Sequence, residues 1–156
     1  MLVRPVPQRG FTLIELMTTI TVLAVLTMVA LPAFQSFVAN QRVRNASFDL
    51  MAALTLARSQ AITQNGTVQL TKSGGEWNAG WTVNDGTRNF GSQEALPNLS
   101  ITDTNGGASV IYGKDGRITT TATKFTIKPT TAISGVAPRC IAIGLSGIPS
   151  STQGAC

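Results

Sequence analysis

The sequence predicts an α+β fold in which one long N-terminal helix packs on an antiparallel β-sheet domain. Two observations predict it. A nearly charge-free apolar segment near the N-terminus leads directly into an amphipathic segment with helical periodicity. After Asn65-Gly66 the pattern changes to short runs of β-formers between glycine-rich turns. The chain has 156 residues, enough for one domain with an extension, and we divide it into 1–10, 11–41 and 42–156.

The apolar segment is long enough to cross a membrane. After Glu15 no charged residue occurs until Arg42, and a bilayer core of roughly 30 Å requires about 20 mainly apolar residues in a helix. Pro32 lies inside this segment and removes one backbone donor, so we expect a bend or a local opening of the helix there. A buried core helix is the less favoured interpretation.

The residues before this segment are a short basic leader, MLVRPVPQRG. A secretory signal would be cut after its apolar region at small residues, and residues 29–33 fit that pattern poorly. An uncleaved signal anchor would leave Glu15 without an explanation. An ionisable side chain four places into a membrane helix costs some kcal/mol unless it has a partner, so Glu15 requires a cation.

The junction Gly10-Phe11-Thr12-Leu13-Ile14-Glu15 resembles the class III signal of type IV prepilins and type II secretion pseudopilins. The resemblance implies that a prepilin peptidase cleaves between Gly10 and Phe11 and methylates the new amine of Phe11. It also implies that Glu15 pairs with the Phe11 amine of a neighbouring subunit during assembly. The protein would first reside in the bacterial inner membrane with its C-terminal domain in the periplasm, and then in a surface pilus or a periplasmic pseudopilus.

The helix should continue beyond the membrane segment, from Phe11 to about Gln64. Apolar residues recur there at three- and four-residue steps along one face: Val43, Ala46, Leu50, Leu54, Ala57 and Ala61. Asn65-Gly66 is a typical helix stop.

Seven strands are predicted after the helix, with tight turns at Ser73-Gly74-Gly75, at Asp85-Gly86 and between Gly113 and Gly116. Their ranges are 68–71, 77–83, 99–102, 109–112, 117–121, 124–128 and 139–143. We expect the two tryptophans, Trp77 and Trp81, to pack the sheet on the helix.

Two residue patterns after the membrane segment indicate which group of type IV pilin-like proteins the chain resembles. Leu54-x-x-Ala57-Arg58-x-x-Ala61-Ile62 and Trp77-x-x-Gly80-Trp81-x-Val83-x-Asp85 are similar to the GspH/FimT group of minor pilins and pseudopilins. The resemblance covers the first half of the chain and is loose beyond Gly86. It implies a structural subunit that helps to prime or cap a type IV pilus together with other minor and major pilins. A type II secretion pseudopilin is the alternative.

The two cysteines, Cys140 and Cys156, lie well beyond the membrane segment. We predict a disulfide between them, since it would hold the C-terminal tail; two free thiols are the other interpretation. The terminal pair resembles that of FimU-like minor pilins and favours the pilus over the secretion machine. Two cysteines without any histidine give no metal site, and no cofactor is expected.

Nucleic-acid binding is a third hypothesis, because some FimT-like pilins capture DNA through a Gly-Arg-x-Arg motif near the C-terminus. Here the corresponding position is Gly144-Leu145-Ser146-Gly147, without either arginine. The remaining candidates for phosphate contacts are basic residues of the last third: Arg117, Lys124, Lys128 and Arg139. A solvated basic face is the more favoured interpretation of these four, so we rank DNA below assembly.

Catalysis is the least favoured function. The chain has no histidine and no cluster of acids beyond isolated aspartates in turns, so a general base or a ligand set cannot be assembled from it. We therefore expect a non-enzymatic protein.

Overall fold

The computed structural model describes residues 10–156, apart from the side chain of Val29. It divides between Gln35 and Ser36 into two units. The first unit contains the beginning of the long helix, and the second contains the rest of that helix and all the strands. The predicted leader lies outside the described residues except for Gly10, which is exposed.

Helix α1 extends over Leu13–Thr63, within two residues of the prediction at both ends, and Pro32 lies inside it. The predicted stop at Asn65-Gly66 is confirmed. Asn65 takes a left-handed φ of 50°, its N–H donates to the carbonyl of Ile62 at 3.1 Å, and the N–H of Gly66 donates to the carbonyl of Ala61 at 3.1 Å. This pair of bonds satisfies carbonyls that a helix end leaves free.

One face of α1 forms the centre of the hydrophobic core of the second unit. All six residues of the predicted face are at most 1% exposed: Val43, Ala46, Leu50, Leu54, Ala57 and Ala61. Full burial of one leucine contributes roughly 1.5–3 kcal/mol, so the packing of this face is a large part of the stability of the second unit.

Eight strands form two four-stranded antiparallel sheets. The strands are β1 (Val68–Lys72), β2 (Trp81–Asn84), β3 (Asn89–Gln93), β4 (Leu99–Asp103), β5 (Ser109–Tyr112), β6 (Thr123–Pro129), β7 (Arg139–Ile143) and β8 (Pro149–Gln153). The first sheet has the order β3-β2-β1-β5 and the second has the order β4-β6-β7-β8. Buried side chains from both sheets join the helix face in one core, which confirms the α+β prediction.

The predicted strand 77–83 is wrong in its first half. Trp77–Ala79 forms a short 3-10 turn, and the strand begins only at Trp81. Gly80 separates the two with a φ of 100°, and a side chain there would come within 2.3 Å of the carbonyl of Gln93. The turn places Trp77 against the second sheet, where its ring meets that of Phe125 edge-on with centroids 4.9 Å apart.

The predicted strand 117–121 does not form. The turn before it closes as expected, with the N–H of Gly113 donating to the carbonyl of Arg117 at 2.8 Å, but pairing is limited to one bridge between Tyr112 and Ile118. The chain then has to cross to the second sheet. Asn105 holds this crossing through a bond from its Nδ2 to the carbonyl of Ala122 at 2.8 Å.

Two strands, β3 and β8, were missed. Their sequences, NFGSQ and PSSTQ, show no apolar alternation. Both are edge strands, so pairing with a neighbouring strand determines their conformation and burial does not.

The C-terminal tail crosses the second sheet and ends in the predicted disulfide. Cys140 and Cys156 are bonded at a sequence separation of 16. The N–H of Gly154 donates to the carbonyl of Pro138 at 2.8 Å, and the N–H of Cys156 donates to Thr126 Oγ1 at 3.2 Å. The tail is therefore fixed from β8 across β7 to β6.

Replacing both cysteines, Cys140→Ser with Cys156→Ser, should lower the free energy of unfolding by about 3 kcal/mol, because the loop is no longer closed in the unfolded chain. Urea denaturation measures this. Reductant should bring the wild type to the level of the variant and leave the variant unchanged. Equal midpoints for oxidised wild type and variant would contradict the prediction.

Tyr112 is fully buried, and its hydroxyl has no hydrogen-bond partner in the described part of the chain. Burial raises the pKa of Tyr112 to about 12, while the positive charge of Arg58 opposes the rise. A raised pKa means that folding favours the neutral phenol. The stability that the folded state gains from keeping this phenol neutral is complete below the unfolded pKa near 10. It is lost as the pH rises towards 12.

Tyr112→Phe should therefore leave stability unchanged or raise it at pH 7, since an unpaired buried hydroxyl costs about 1–3 kcal/mol. The variant should also lose part of the decline in stability between pH 10 and 12. Because the chain has a single tyrosine, its absorbance titration in the wild type reports this group alone. A loss of stability in the phenylalanine variant at pH 7 would show that the hydroxyl has a partner after all.

Candidate functional site

The start of α1 is a capped helix end. Thr12 precedes the first helical residue, and its Oγ1 accepts the N–H of Glu15 at 3.3 Å, while its carbonyl accepts the N–H of Leu16 at 3.2 Å. Glu15 thus occupies the third helical position, where the helix dipole favours a negative charge. Thr12-x-x-Glu15 matches the capping-box spacing, a sequence signal for Thr12 that the predicted helix start at Phe11 overlooked.

The groups predicted to act in assembly are open to contact. Phe11 is 82% exposed, and Glu15 is exposed as well. Across residues 10–156 the structure contains one ion pair, between Arg88 and Asp85. Within this part of the chain Glu15 therefore has no cationic partner, and its pairing with an amine stays a prediction.

Threonines in the first part of α1 satisfy their hydroxyls within the helix. Thr18 Oγ1 donates to the carbonyl of Glu15 at 3.0 Å, Thr21 Oγ1 to Met17 at 2.8 Å, and Thr27 Oγ1 to Ala24 at 2.9 Å. A hydroxyl bonded in this way carries little of the desolvation cost of an unpaired polar group. The segment can therefore enter an apolar environment despite its polar residues.

Within the first unit the apolar side chains are exposed along the helix. They include Leu13, Ile14, Leu16, Met17, Ile20, Val22, Leu23, Val25, Leu26, Met28, Leu31 and Phe34. In the described residues α1 is the one helix long and apolar enough to cross a membrane. The same surface would suit packing between subunits.

Two of the predicted basic candidates lie on the second sheet. Lys124 and Lys128 are exposed on β6 and alternate with Phe125 and Ile127, which are buried. Since neighbouring strand residues point to opposite faces, both lysines lie on the outer face, on either side of Thr126, where the tail is bonded.

The other two candidates lie elsewhere. Arg139 pairs directly with Ile127 in the sheet register, and so it lies on the inner face, half-buried, with Nη1 donating to Ser151 Oγ at 3.2 Å. Arg117 is exposed in the turn that follows β5. The four residues therefore form no common surface.

The loop from Gly144 to Gly147 closes on itself, with the N–H of Gly147 donating to the carbonyl of Gly144 at 2.9 Å. It packs against the turn that contains Gly116, next to Arg117. The loop itself supplies no positive charge. Across residues 10–156 no three histidine, cysteine or acidic residues lie together in a way that could hold a metal ion.

Comparison with known proteins shows the family. The model of the family described as Type II transport protein GspH matches residues 46–147, more than half of the chain. The chain belongs to the GspH family. A second model, described as the prokaryotic N-terminal methylation motif, matches residues 7–31 and so includes the predicted cleavage junction and Glu15.

Curated relatives of this GspH-family chain are fimbrial proteins. Fimbrial protein Q of Moraxella bovis is 35% identical over 82 residues, which are 51% of this chain and 52% of that protein. Type IV major alpha-pilin of Moraxella bovis is 42% identical over 48 residues, 31% of this chain and 30% of that protein. The chain thus spans 30% of the length of the major alpha-pilin and 52% of that of fimbrial protein Q.

The solved structure of the type IV minor pilin FimU from Pseudomonas aeruginosa is similar to this GspH-family chain. The TM-score is 0.64 at 18% identity, and the match covers 74% of this chain and 92% of that one. At this identity the likeness shows the fold alone, which is the α+β type IV pilin fold.

The separation of the basic residues predicts weak DNA binding by the second unit. Mobility-shift titration with duplex DNA at physiological salt should show little binding, and residual binding at low salt should fall steeply as salt rises, because it releases counterions. Lys124→Ala with Lys128→Ala tests the outer face, and Arg117→Ala serves as the comparison. Submicromolar affinity that disappears in the lysine pair variant would raise DNA uptake above assembly.

Proposed function

We propose that the protein is a minor pilin, a structural subunit that helps to prime or cap a type IV pilus. The observation that carries this proposal is Glu15 at the capped start of an otherwise charge-free, exposed apolar helix. The match of the methylation motif over the same residues supports it.

The chemistry of this helix start explains how a subunit would dock. A carboxylate in hydrocarbon is costly without a partner, and cleavage after Gly10 would create a new amine on Phe11. Pairing Glu15 with the Phe11 amine of a neighbour would remove two unpaired charges from the membrane and fix the axial register. The exposed apolar side chains would then pack against the helices of other pilins.

A pseudopilin of a type II secretion machine is the second candidate, favoured by the description of the matching family. The FimU likeness and the fimbrial relatives favour the pilus. The two differ in location: a pilus subunit is recovered in filaments sheared from the cell surface, and a pseudopilus subunit stays in the periplasm. DNA capture ranks third and catalysis last.

Glu15→Val should leave the protein inserted, cleaved and folded, yet lower its recovery in filaments by at least about tenfold. Valine removes the lone carboxylate, but removing one partner of a desolvated ion pair costs about 3 kcal/mol or more. Immunoblots of membranes and of sheared filaments measure the effect. N-terminal mass analysis should find methylated Phe11 in both proteins.

Thr27→Val is the matched control, because it changes a threonine of the same apolar segment whose hydroxyl bonds only to its own helix. This variant should assemble normally. Equal recovery of Glu15→Val and wild type in filaments would show that Glu15 is a tolerated membrane acid. Retention of Met1 in assembled filaments would refute the processing step.

A further inference from the structure

The end of α1 meets the turn with Gly116, and that turn packs against the loop with Gly147. Arg58 Nε donates to the carbonyl of Gly116 at 3.0 Å. A side-chain carbon on Gly116 would lie 2.6 Å from Ile62 Cδ1, and one on Gly147 would lie 2.2 Å from the carbonyl oxygen of Gly116. The turn with Gly116 is thus held tightly between the helix and the loop with Gly147, so the three segments form one surface.

This surface exposes apolar side chains in a part of the molecule where they are otherwise rare. After Ala39 four large hydrophobic side chains are exposed, and three of them belong to these segments or directly follow them: Ile62 (46%) near the end of α1, Leu145 (56%) in the loop with Gly147 and Ile148 (60%) next to it. Grouped apolar residues on a surface are typical of protein contacts.

The rim of the surface is basic. Lys114 and Arg117 are exposed in the turn, and Arg58 lies beneath it. The turn has one acid, Asp115, whose Oδ1 accepts the N–H of Arg117 at 3.1 Å. We call Ile62, Lys114, Arg117, Leu145 and Ile148 the end surface.

The second unit, which we call the head, begins with its own part of α1, and this other end of the helix is also basic. Arg42 and Arg44 are exposed there, and the first acid of the head is Asp49. From Arg44 to Ile62 is 18 residues, about 27 Å along the helix at 1.5 Å per residue. Both ends are thus basic, so a contact that joined the end surface of one copy to the end with Arg42 and Arg44 of another copy would place like charges face to face.

We propose that the end surface binds the head of a different pilin-like subunit whose facing surface is acidic. The proposal rests on the proposed function, since it assumes a filament of several subunit types. The aliphatic side chains would pack in the centre of the contact, and Lys114 and Arg117 would pair with carboxylates at its rim. Repulsion between two copies disfavours self-stacking, so one copy would be followed by another kind of subunit.

DNA and membranes are the rival partners of a basic surface. Nucleic acid needs phosphate contacts and would leave Ile62, Leu145 and Ile148 without a role. An anionic membrane could accept both charges and aliphatic groups. The apolar segment that could lie in a bilayer, however, ends at Ala39, about 35 Å along the helix from Ile62, so the end surface is far from that segment. A protein partner uses all five residues.

Photocrosslinking in cells that assemble filaments tests the proposal with the full chain. A benzophenone amino acid at Leu145 should crosslink to another pilin-like protein, and peptide mapping should place the crosslink next to Asp or Glu in that partner. Benzophenone at Phe48, which is exposed on α1 outside the end surface, is the matched control and should not give this product.

Charge reversal then tests the rim. Lys114→Glu with Arg117→Glu should lower the crosslink yield by about tenfold, and an Asp→Lys or Glu→Lys change at the mapped partner site should restore it. Lys124→Glu with Lys128→Glu makes the same change in net charge on the outer face of the second sheet and should leave the yield intact. Equal melting temperatures and an intact disulfide show that the variants fold.

Three results would overturn the end-surface proposal: crosslinks mainly to a second copy of this chain, adducts that are removed by nuclease or extracted with lipid, or an equal yield in both reversal variants. If the protein is recovered in sheared filaments or in periplasmic pseudopili, each of these results overturns the end-surface proposal and leaves the proposed function intact. Absence of the protein from both kinds of filament would instead overturn the proposed function.

Discussion

The fold of the second unit depends on the burial of one face of α1 in a core that it shares with both sheets. Neither four-stranded sheet has a core of its own, because the buried side chains of both meet the same row of small and branched residues from Val43 to Ala61. Three of these six positions are alanines and two are leucines, and all six are at most 1% exposed. The helix is therefore the element that the two sheets have in common.

The same helix has opposite requirements in its two parts. Its first part exposes apolar side chains and bonds its threonine hydroxyls to its own carbonyls, whereas its later part buries a single stripe and exposes charge. A partner must cover the first part, and the sheets already cover the second. This difference makes an assembly role physically reasonable. The second unit buries the apolar face of its own part of α1, whereas the apolar side chains of the first part stay exposed and can contact a membrane or neighbouring subunits.

Local sequence was sufficient where one local cause dominates. Helical periodicity gave the buried face of α1 residue by residue, and Asn65-Gly66 gave its end, because a left-handed residue followed by glycine satisfies the last carbonyls. The strands around Ile101, Phe125 and Ile141 were predictable because buried residues alternate there or cluster in a short apolar run. The processing and docking roles of Gly10, Phe11 and Glu15 stay predictions; the structure adds that Phe11 and Glu15 are exposed at the capped start of α1.

Tertiary structure alone decided the rest. The edge strands β3 and β8 have no apolar pattern and exist because a neighbouring strand supplies their hydrogen bonds. The turn at Gly80 and the crossing after Ile118 depend on where the second sheet lies. The basic residues show this limit of sequence reasoning most clearly, since all of them come from the last third of the sequence. The strand register half-buries Arg139 and exposes Lys124 on the outer face. Arg117 instead lies in the turn that is bonded to the end of α1. Charges separated along the chain acquire a common surface or lose it only through pairing between distant segments, which composition and spacing do not encode.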